Sequence, residues 1–239
     1  MTQETIIITG ASRGIGRALT ALCLERGHPV VAVARNLDDL ERLSPSGSPL
    51  QCHSADLSNP QQAAAAGEAI AAALSDRAIL VNNAATQDDW QFFDARNTAD
   101  ALTRNVALNL TAPILLTRIL CGAASIDAVV FIQSLLSLEP KGSAAVYSAA
   151  KAGLGMVAKA LRLQSKDGKI RFQEVYLPLV DTDMTAGRGT GKISPEVAAE
   201  QIYKAIMSGR PRVYVGKARL MAAIHWLSPA LAGFILSRM

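Results

Sequence analysis

Tyr147 and Lys151 stand four residues apart in Tyr147-Ser148-Ala149-Ala150-Lys151. On a helix that spacing puts phenol and ammonium on one face, where the positive charge lowers the phenol's pKa toward working pH and leaves a poised acid/base. Helix-surface packing is the bland reading of such a pair. Ser134 lifts it above that: thirteen residues upstream, after Val129-Val130-Phe131-Ile132, its hydroxyl can reach the same carbonyl oxygen. Asn109, in Val106-Ala107-Leu108-Asn109-Leu110-Thr111, is a fourth member. Asparagine inside an apolar helical stretch costs stability unless its side chain has work, such as holding a water beside the lysine.

The N-terminus offers a second site, suited to a dinucleotide. The strand-like run Glu4-Thr5-Ile6-Ile7-Ile8 breaks into Thr9-Gly10-Ala11-Ser12-Arg13-Gly14-Ile15-Gly16, and a helical stretch follows at once. Glycines let the main chain turn and approach a pyrophosphate, and the helix aims its free N–H groups and positive dipole end at the phosphates. A plain tight turn is the alternative, which the strand-turn-helix context disfavours. The second strand closes with Val33-Ala34-Arg35-Asn36, with no acid to accept from a ribose 2′-hydroxyl. Arg35, with Arg13 from the glycine loop, would instead meet a 2′-phosphate, so the expected cofactor is NADP(H). A solvated surface charge is the other reading of Arg35. Asp56-Leu57 would lie beside the adenine, unless Asp56 is only a helix cap.

These groups must be carried by an alternating α/β chain. Strands are predicted at 4–8, 30–34, 50–54, 78–81, 128–132, 170–177 and 212–215, with helices at 17–25, 60–75, 97–120, 147–166 and 195–208. Strict alternation builds a Rossmann-type, doubly wound, seven-stranded parallel sheet with helices on both faces, and ligands sit at the carboxyl ends of its strands. With 239 residues, 50% hydrophobic and 18% charged, the chain can bury one full core and is not a disordered one. No linker or repeat divides it, so residues 1–239 are read as one domain, with Ser44–Pro49 as a surface loop. A scattered net charge of +4 and few aromatics give no ground for nucleic-acid binding. Cys23, Cys52 and Cys121, odd in number and widely spaced, suit reduced thiols in a cytoplasmic protein. No signal peptide precedes the first strand, and no His/Cys/Asp cluster offers a metal site.

The glycine loop, Asn82-Asn83-Ala84-Ala85, Asn109, Ser134 and Tyr147-x-x-x-Lys151 resemble, in order and spacing, the short-chain dehydrogenase/reductase family across essentially the whole chain. That resemblance implies an oxidoreductase passing hydride between nicotinamide C4 and a carbonyl or alcohol carbon. Tyr147 would then be the general acid/base, Ser134 would steady the carbonyl oxygen and Lys151 would bind the nicotinamide ribose and tune Tyr147. Asn109 would anchor a proton-relay water. Gly10, Ser12, Gly14, Ile15, Gly16, Asn83 and Ala84 join the cofactor-binding set, and Val180 and Thr182 sit where the family contacts the carboxamide. No metal is required. Asn109-Leu110-Thr111-Ala112-Pro113 and Pro178-Leu179-Val180-Asp181-Thr182-Asp183-Met184 also resemble a bacterial branch encoded beside teichoic-acid D-alanylation genes. Two departures stand out: Ala85 replaces the family's glycine, and Leu177-Pro178 or Pro178-Leu179 replaces its Pro-Gly. The second leaves room for an alternative, an NADPH-binding sensor with little turnover.

The substrate side is expected from Trp90, whose other reading is structural packing, from Leu135 and Leu136 past the serine, and from Met184. An apolar carbonyl or alcohol substrate follows. Residues 185–194, with Gly187, Gly189 and Gly191, read as a mobile lid. Its Arg188 and Lys192 are read as solvated charges before they are read as contacts to an anion. The apolar segment 217–239 is too short and interrupted for a convincing transmembrane helix. Packing on a partner subunit or over the active site is its first reading and membrane-surface contact its second. A homodimer or homotetramer is expected, because the helices at 97–120 and 147–166 carry more apolar residues than one buried face needs.

Overall fold

In the computed structural model, residues 3–36, 38–41, 49–165 and 168–237 are described. Ser44–Ser48 of the expected surface loop and the last two residues of the C-terminal segment lie outside them. The strands are β1 (Thr5–Thr9), β2 (Val30–Ala34), β3 (Leu50–Ser54), β4 (Ala78–Asn82), β5 (Ile126–Ser134), β6 (Arg171–Leu177) and β7 (Arg212–Tyr214). They form one parallel sheet in the order β3-β2-β1-β4-β5-β6-β7. The order reverses between β1 and β4, which opens a crevice above their carboxyl ends.

The helices are α1 (Gly14–Glu25), α2 (Asp38–Glu41), α3 (Pro60–Ala73), α4 (Ala99–Val106), α5 (Ala112–Ala123), α6 (Ala145–Gln164), α7 (Pro195–Ser208), α8 (Lys217–Leu227) and α9 (Pro229–Leu236). Period-2 alternation sorts the β1 side chains to two cores. Ile6 and Ile8 pack with Leu19 and Cys23 of α1 and with Ile202 and Ile206 of α7. Ile7 points to the opposite face, with Ile70 of α3, Leu116 and Leu120 of α5, and Leu154 of α6. Helix starts follow local chemistry: Asn59 accepts from the backbone N–H of Gln61 and Gln62 ahead of α3, Ser194 accepts from Val197 ahead of α7, and a proline opens each helix.

The structure adds detail that the sequence reading did not contain. The helix expected at 97–120 is α4 and α5 joined through a π-helical turn at Ala107–Thr111, a distortion that apolar periodicity does not report. By length and composition, Ala99–Ala123 could cross a membrane, but it packs against α3 and α6 and carries the buried Asn105 and Asn109, which makes it a core helix. The C-terminal segment forms two helices, with Ser228 ending α8 and accepting from Leu231 N–H to cap α9.

Candidate active site

A cleft of about 420 Å³ lies over the carboxyl ends of the strands. Gly10, Ser12, Arg13, Gly14, Ile15 and Gly16 line one end of it. Gly10 has φ +68°, and a Cβ there would stand 2.9 Å from Ala84 Cα; at Gly16 it would collide with the Gly10 carbonyl oxygen. Only glycine lets the backbone close up here. Thr9, which the sequence reading passed over, stitches the loop to the end of β4. Its Oγ1 accepts from Asn83 and Ala84 N–H, both at 3.0 Å, and its carbonyl accepts from Asn83 Nδ2 at 2.9 Å. The N-cap of α1, Arg13, makes no side-chain capping bond and the first turn carries no acid, which suits an anion at that helix start.

Arg35, Asp56 and Leu57 line the same end. Arg13 lies 3.9 Å from Asp183 as an exposed pair. Asp56 accepts from Ser58 N–H at 2.9 Å and Ser58 Oγ at 2.7 Å. Burial works to raise its pKa, but these bonds and the charges of Arg35 and Arg104 hold the carboxyl below its ordinary value. Arg104, on α4, also lines the cleft; no local motif marks it, because the fold brings it there from far along the chain.

Ser134, Tyr147 and Lys151 line the middle of the cleft. Lys151 Nζ donates to the Ile132 carbonyl at 2.9 Å and stands 5.9 Å from the Tyr147 ring centre. Burial pushes Lys151 down to about 8 and Tyr147 up to about 12, with Ser134 and the charge of Arg188 pulling the phenol back. The Lys151 ammonium also bonds a backbone carbonyl, and Arg188, from residues 185–194, adds a second positive charge that favours the phenolate. Asn109 is fully buried, and its side chain is fully engaged. Nδ2 donates to the Thr86 carbonyl at 2.8 Å and to Asn105 Oδ1 at 2.9 Å, while Oδ1 accepts from Thr86 N–H at 3.2 Å. The amide clamps the β4–α4 loop to the helix that follows it.

Asn83, Ala84, Val180 and Thr182 line the cleft, as do Trp90 and Met184. Leu135 and Leu136 do not line it, which corrects the expected apolar wall. Leu135 is buried with Ala218 and Leu236, and Leu136 turns away in a short 3-10 helix, its N–H donating to Ser134 Oγ at 3.2 Å. Asp88 and Asn105 face the cleft as well, joined by an Asn105 Nδ2 to Asp88 Oδ2 bond of 3.2 Å, so this end is more polar than expected. Arg188 and Lys192 are not solvated charges. Arg188 lies 3.6 Å from Asp89, while Lys192 Nζ donates to Asp181 at 3.2 Å and to the Thr185 carbonyl at 2.7 Å. Ala85 and Leu177-Pro178-Leu179 also line the cleft, and no described non-glycine residue has positive φ. The missing glycines leave no backbone strain there.

A glycine-cradled anion site, a Ser/Tyr/Lys group in the same cleft and a parallel sheet that joins them define a dinucleotide-dependent oxidoreductase. Residues 4–192 match the short chain dehydrogenase family, and the chain belongs to it. Benzil reductase ((S)-benzoin forming) of Bacillus subtilis is 32% identical over 194 residues, spanning 77% of this chain and 77% of that protein. The uncharacterized oxidoreductase DltE of the same organism is 30% identical over 190 residues, 77% of this chain and 74% of that protein. The likeness to DltE accords with the teichoic-acid D-alanylation branch. Among solved structures, a short-chain dehydrogenase from Sphingobium yanoikuyae in complex with NADPH superposes with a TM-score of 0.79 at 25% identity, covering 97% of this chain and 94% of that one.

Proposed function

We propose that this protein is a single-domain, cytoplasmic NADP(H)-dependent carbonyl reductase or alcohol dehydrogenase acting on a small molecule, with Tyr147 as general acid/base. The observation that carries the reading is one cleft with the glycine loop, Arg13 and Arg35 at one end and Ser134, Tyr147 and Lys151 at the other. The residues fit the cofactor: Gly10 and Gly16 let the loop backbone close up at the start of α1, where pyrophosphate would sit, and Arg13 and Arg35 line the same end of the cleft, where they would meet a 2′-phosphate. NADP(H), when bound, supplies the hydride. Ser134 then steadies the carbonyl oxygen, Tyr147 gives it a proton, and Lys151 holds the nicotinamide ribose. Val180 and Thr182 would meet the carboxamide. The similarity to benzil reductase and the NADPH complex of the Sphingobium enzyme support the same direction and cofactor. The sensor alternative rested on the lost Pro-Gly, and the unstrained backbone there gives it no support.

Purified protein mixed with aromatic and aliphatic ketones, aldehydes and quinones should consume NADPH, followed by loss of reduced-nicotinamide absorbance. Each charge-assisted bond to the 2′-phosphate is worth about 1.5–3 kcal/mol, so NADPH should be preferred over NADH by roughly 100-fold or more. Arg35→Asp should shrink or invert that preference. Equal use of both cofactors would overturn the assignment of Arg13 and Arg35.

A further inference from the structure

The C-terminal helices carry a surface that carbonyl reduction does not use. Their inner side packs Ala218, Ala232 and Leu236 into the molecule, where Ala218 and Leu236 cluster with Leu135 and Leu138 just beyond Ser134. His225 Nδ1 stands 3.0 Å from Glu139 on the same loop. The outer side is apolar: Leu220, Trp226, Leu227 and Leu231 are 64%, 82%, 74% and 49% exposed. Leu220, Ala223 and Leu227 recur at helical spacing along α8, and Leu231 continues the face onto α9. A Trp and three Leu residues in water on two adjoining helices require something to cover them.

Charge indicates what covers them. Residues 217–239 contain Lys217, Arg219, His225 and Arg238 but no Asp or Glu. Lys217 and Arg219 are exposed at the start of α8, beside the apolar face. Lys217 Nζ also lies over the 185–194 segment, 2.8 Å from where a Cβ on Gly191 would stand. A two-fold contact between copies through this face would bring basic residue against basic residue, with no carboxylate in the segment to answer them. The helices expected to pair copies have exposed apolar residues of their own, Val106 on α4 and Met156 and Leu163 on α6. An anionic lipid surface satisfies both features, since acyl chains take up Trp and Leu while headgroups meet Lys and Arg.

We propose that the outer face of α8 and α9 docks this protein onto an anionic lipid surface. Docking seats the molecule on the bilayer through the helices that back the Ser134 loop. Vesicle binding is read without turnover, so this proposal and the assignment of the reaction fail separately.

The test is sedimentation of the full chain, loaded with NADPH, with vesicles of phosphatidylglycerol and phosphatidylcholine in equal parts or of phosphatidylcholine alone. The expected result is binding to the anionic vesicles that weakens as salt rises. The double variant Trp226→Ser, Leu227→Ser and the single variant Lys217→Glu should each bind about tenfold or more weakly while keeping NADPH affinity. A measurement on the unaltered surface backs the variants. The Trp226 contribution to fluorescence, taken as the difference between wild type and Trp226→Phe, should shift to the blue on anionic vesicles only. Wild-type protein that stays in the supernatant with both vesicle types, or variants that bind as wild type does, would overturn the proposal. So would a double variant that changes the oligomeric state in light scattering without any vesicle binding by the wild type, because a second copy would then be the occupant.

Discussion

Lys151 sits in surroundings unusual for a lysine. It is 2% exposed, its ammonium is held on the Ile132 carbonyl, and burial pushes it down to about 8. A ribose hydroxyl accepting from Nζ favours the charged form, so the pKa in the cofactor complex must lie above that of the free protein. The sign follows: binding takes up a proton, and NADPH affinity is full below about 8 and falls as pH climbs through 8 toward the value in the complex. Calorimetric titrations just above that pH, in two buffers of different ionisation enthalpy, should show the uptake, and Lys151→Met should abolish it. Identical heats in the two buffers would contradict the role given to Lys151. At this scale the sequence was informative about identities and less so about partners. The Tyr147 and Lys151 spacing is local and readable; the contacts of Asn109 to Thr86 and of Thr9 to Asn83 join residues that only the fold brings together.

Among the elements, the segments around the cleft mouth are tied by one carboxylate. Asp89, in the β4–α4 loop, accepts from Lys141 Nζ at 3.2 Å, bonds Ser143 Oγ four residues before Tyr147, and pairs with Arg188 of residues 185–194 at 3.6 Å. The charged groups around the phenol are thus Lys151 on its own helix, Arg188 opposite, and Asp88 and Asp89 on the β4–α4 loop. The proposed lid is latched by Asp89, and the latch holds Arg188 where its charge favours the phenolate. Arg188→Gln should raise the Tyr147 pKa, because a stabilising positive charge is lost. In the alcohol-oxidising direction, where the phenolate is the base, the rise of kcat/KM with pH should move upward by about half a unit or more, and Arg188→Lys should restore part of it. An unmoved profile in the Gln variant would remove Arg188 from the chemistry. The strands were legible to within a residue or two because β-branched runs alternate with Ala/Leu-rich helices. The π-helical turn at Ala107–Thr111 and the inward turn of Leu135 were not, since both are set by packing against α6 and against α8 and α9.

At the scale of the whole molecule, a parallel sheet buried on both faces leaves its chemistry to the carboxyl edge, and every residue assigned to the cofactor lines that one cleft. The family was legible because its motifs are fixed by backbone geometry: Gly10 and Gly16 stand where a Cβ would clash, and Tyr147 and Lys151 share a helix face. The surface was harder to read, because the same apolar residues suit a partner copy, a lipid or a core until the fold shows which way they point. Val106, Met156 and Leu163 point outward on α4 and α6, in keeping with the homodimer or homotetramer expected from the sequence. The measurement that tests the central claim most directly is hydride transfer itself. With NADPH deuterated at both C4 positions and a ketone accepted by the protein, the alcohol should carry one deuterium on its carbinol carbon. Tyr147→Phe should bind NADPH as the wild type does and transfer deuteride on the order of 10²–10⁴ times more slowly. An alcohol without deuterium across the ketone panel, or a Phe variant as fast as wild type, would contradict it.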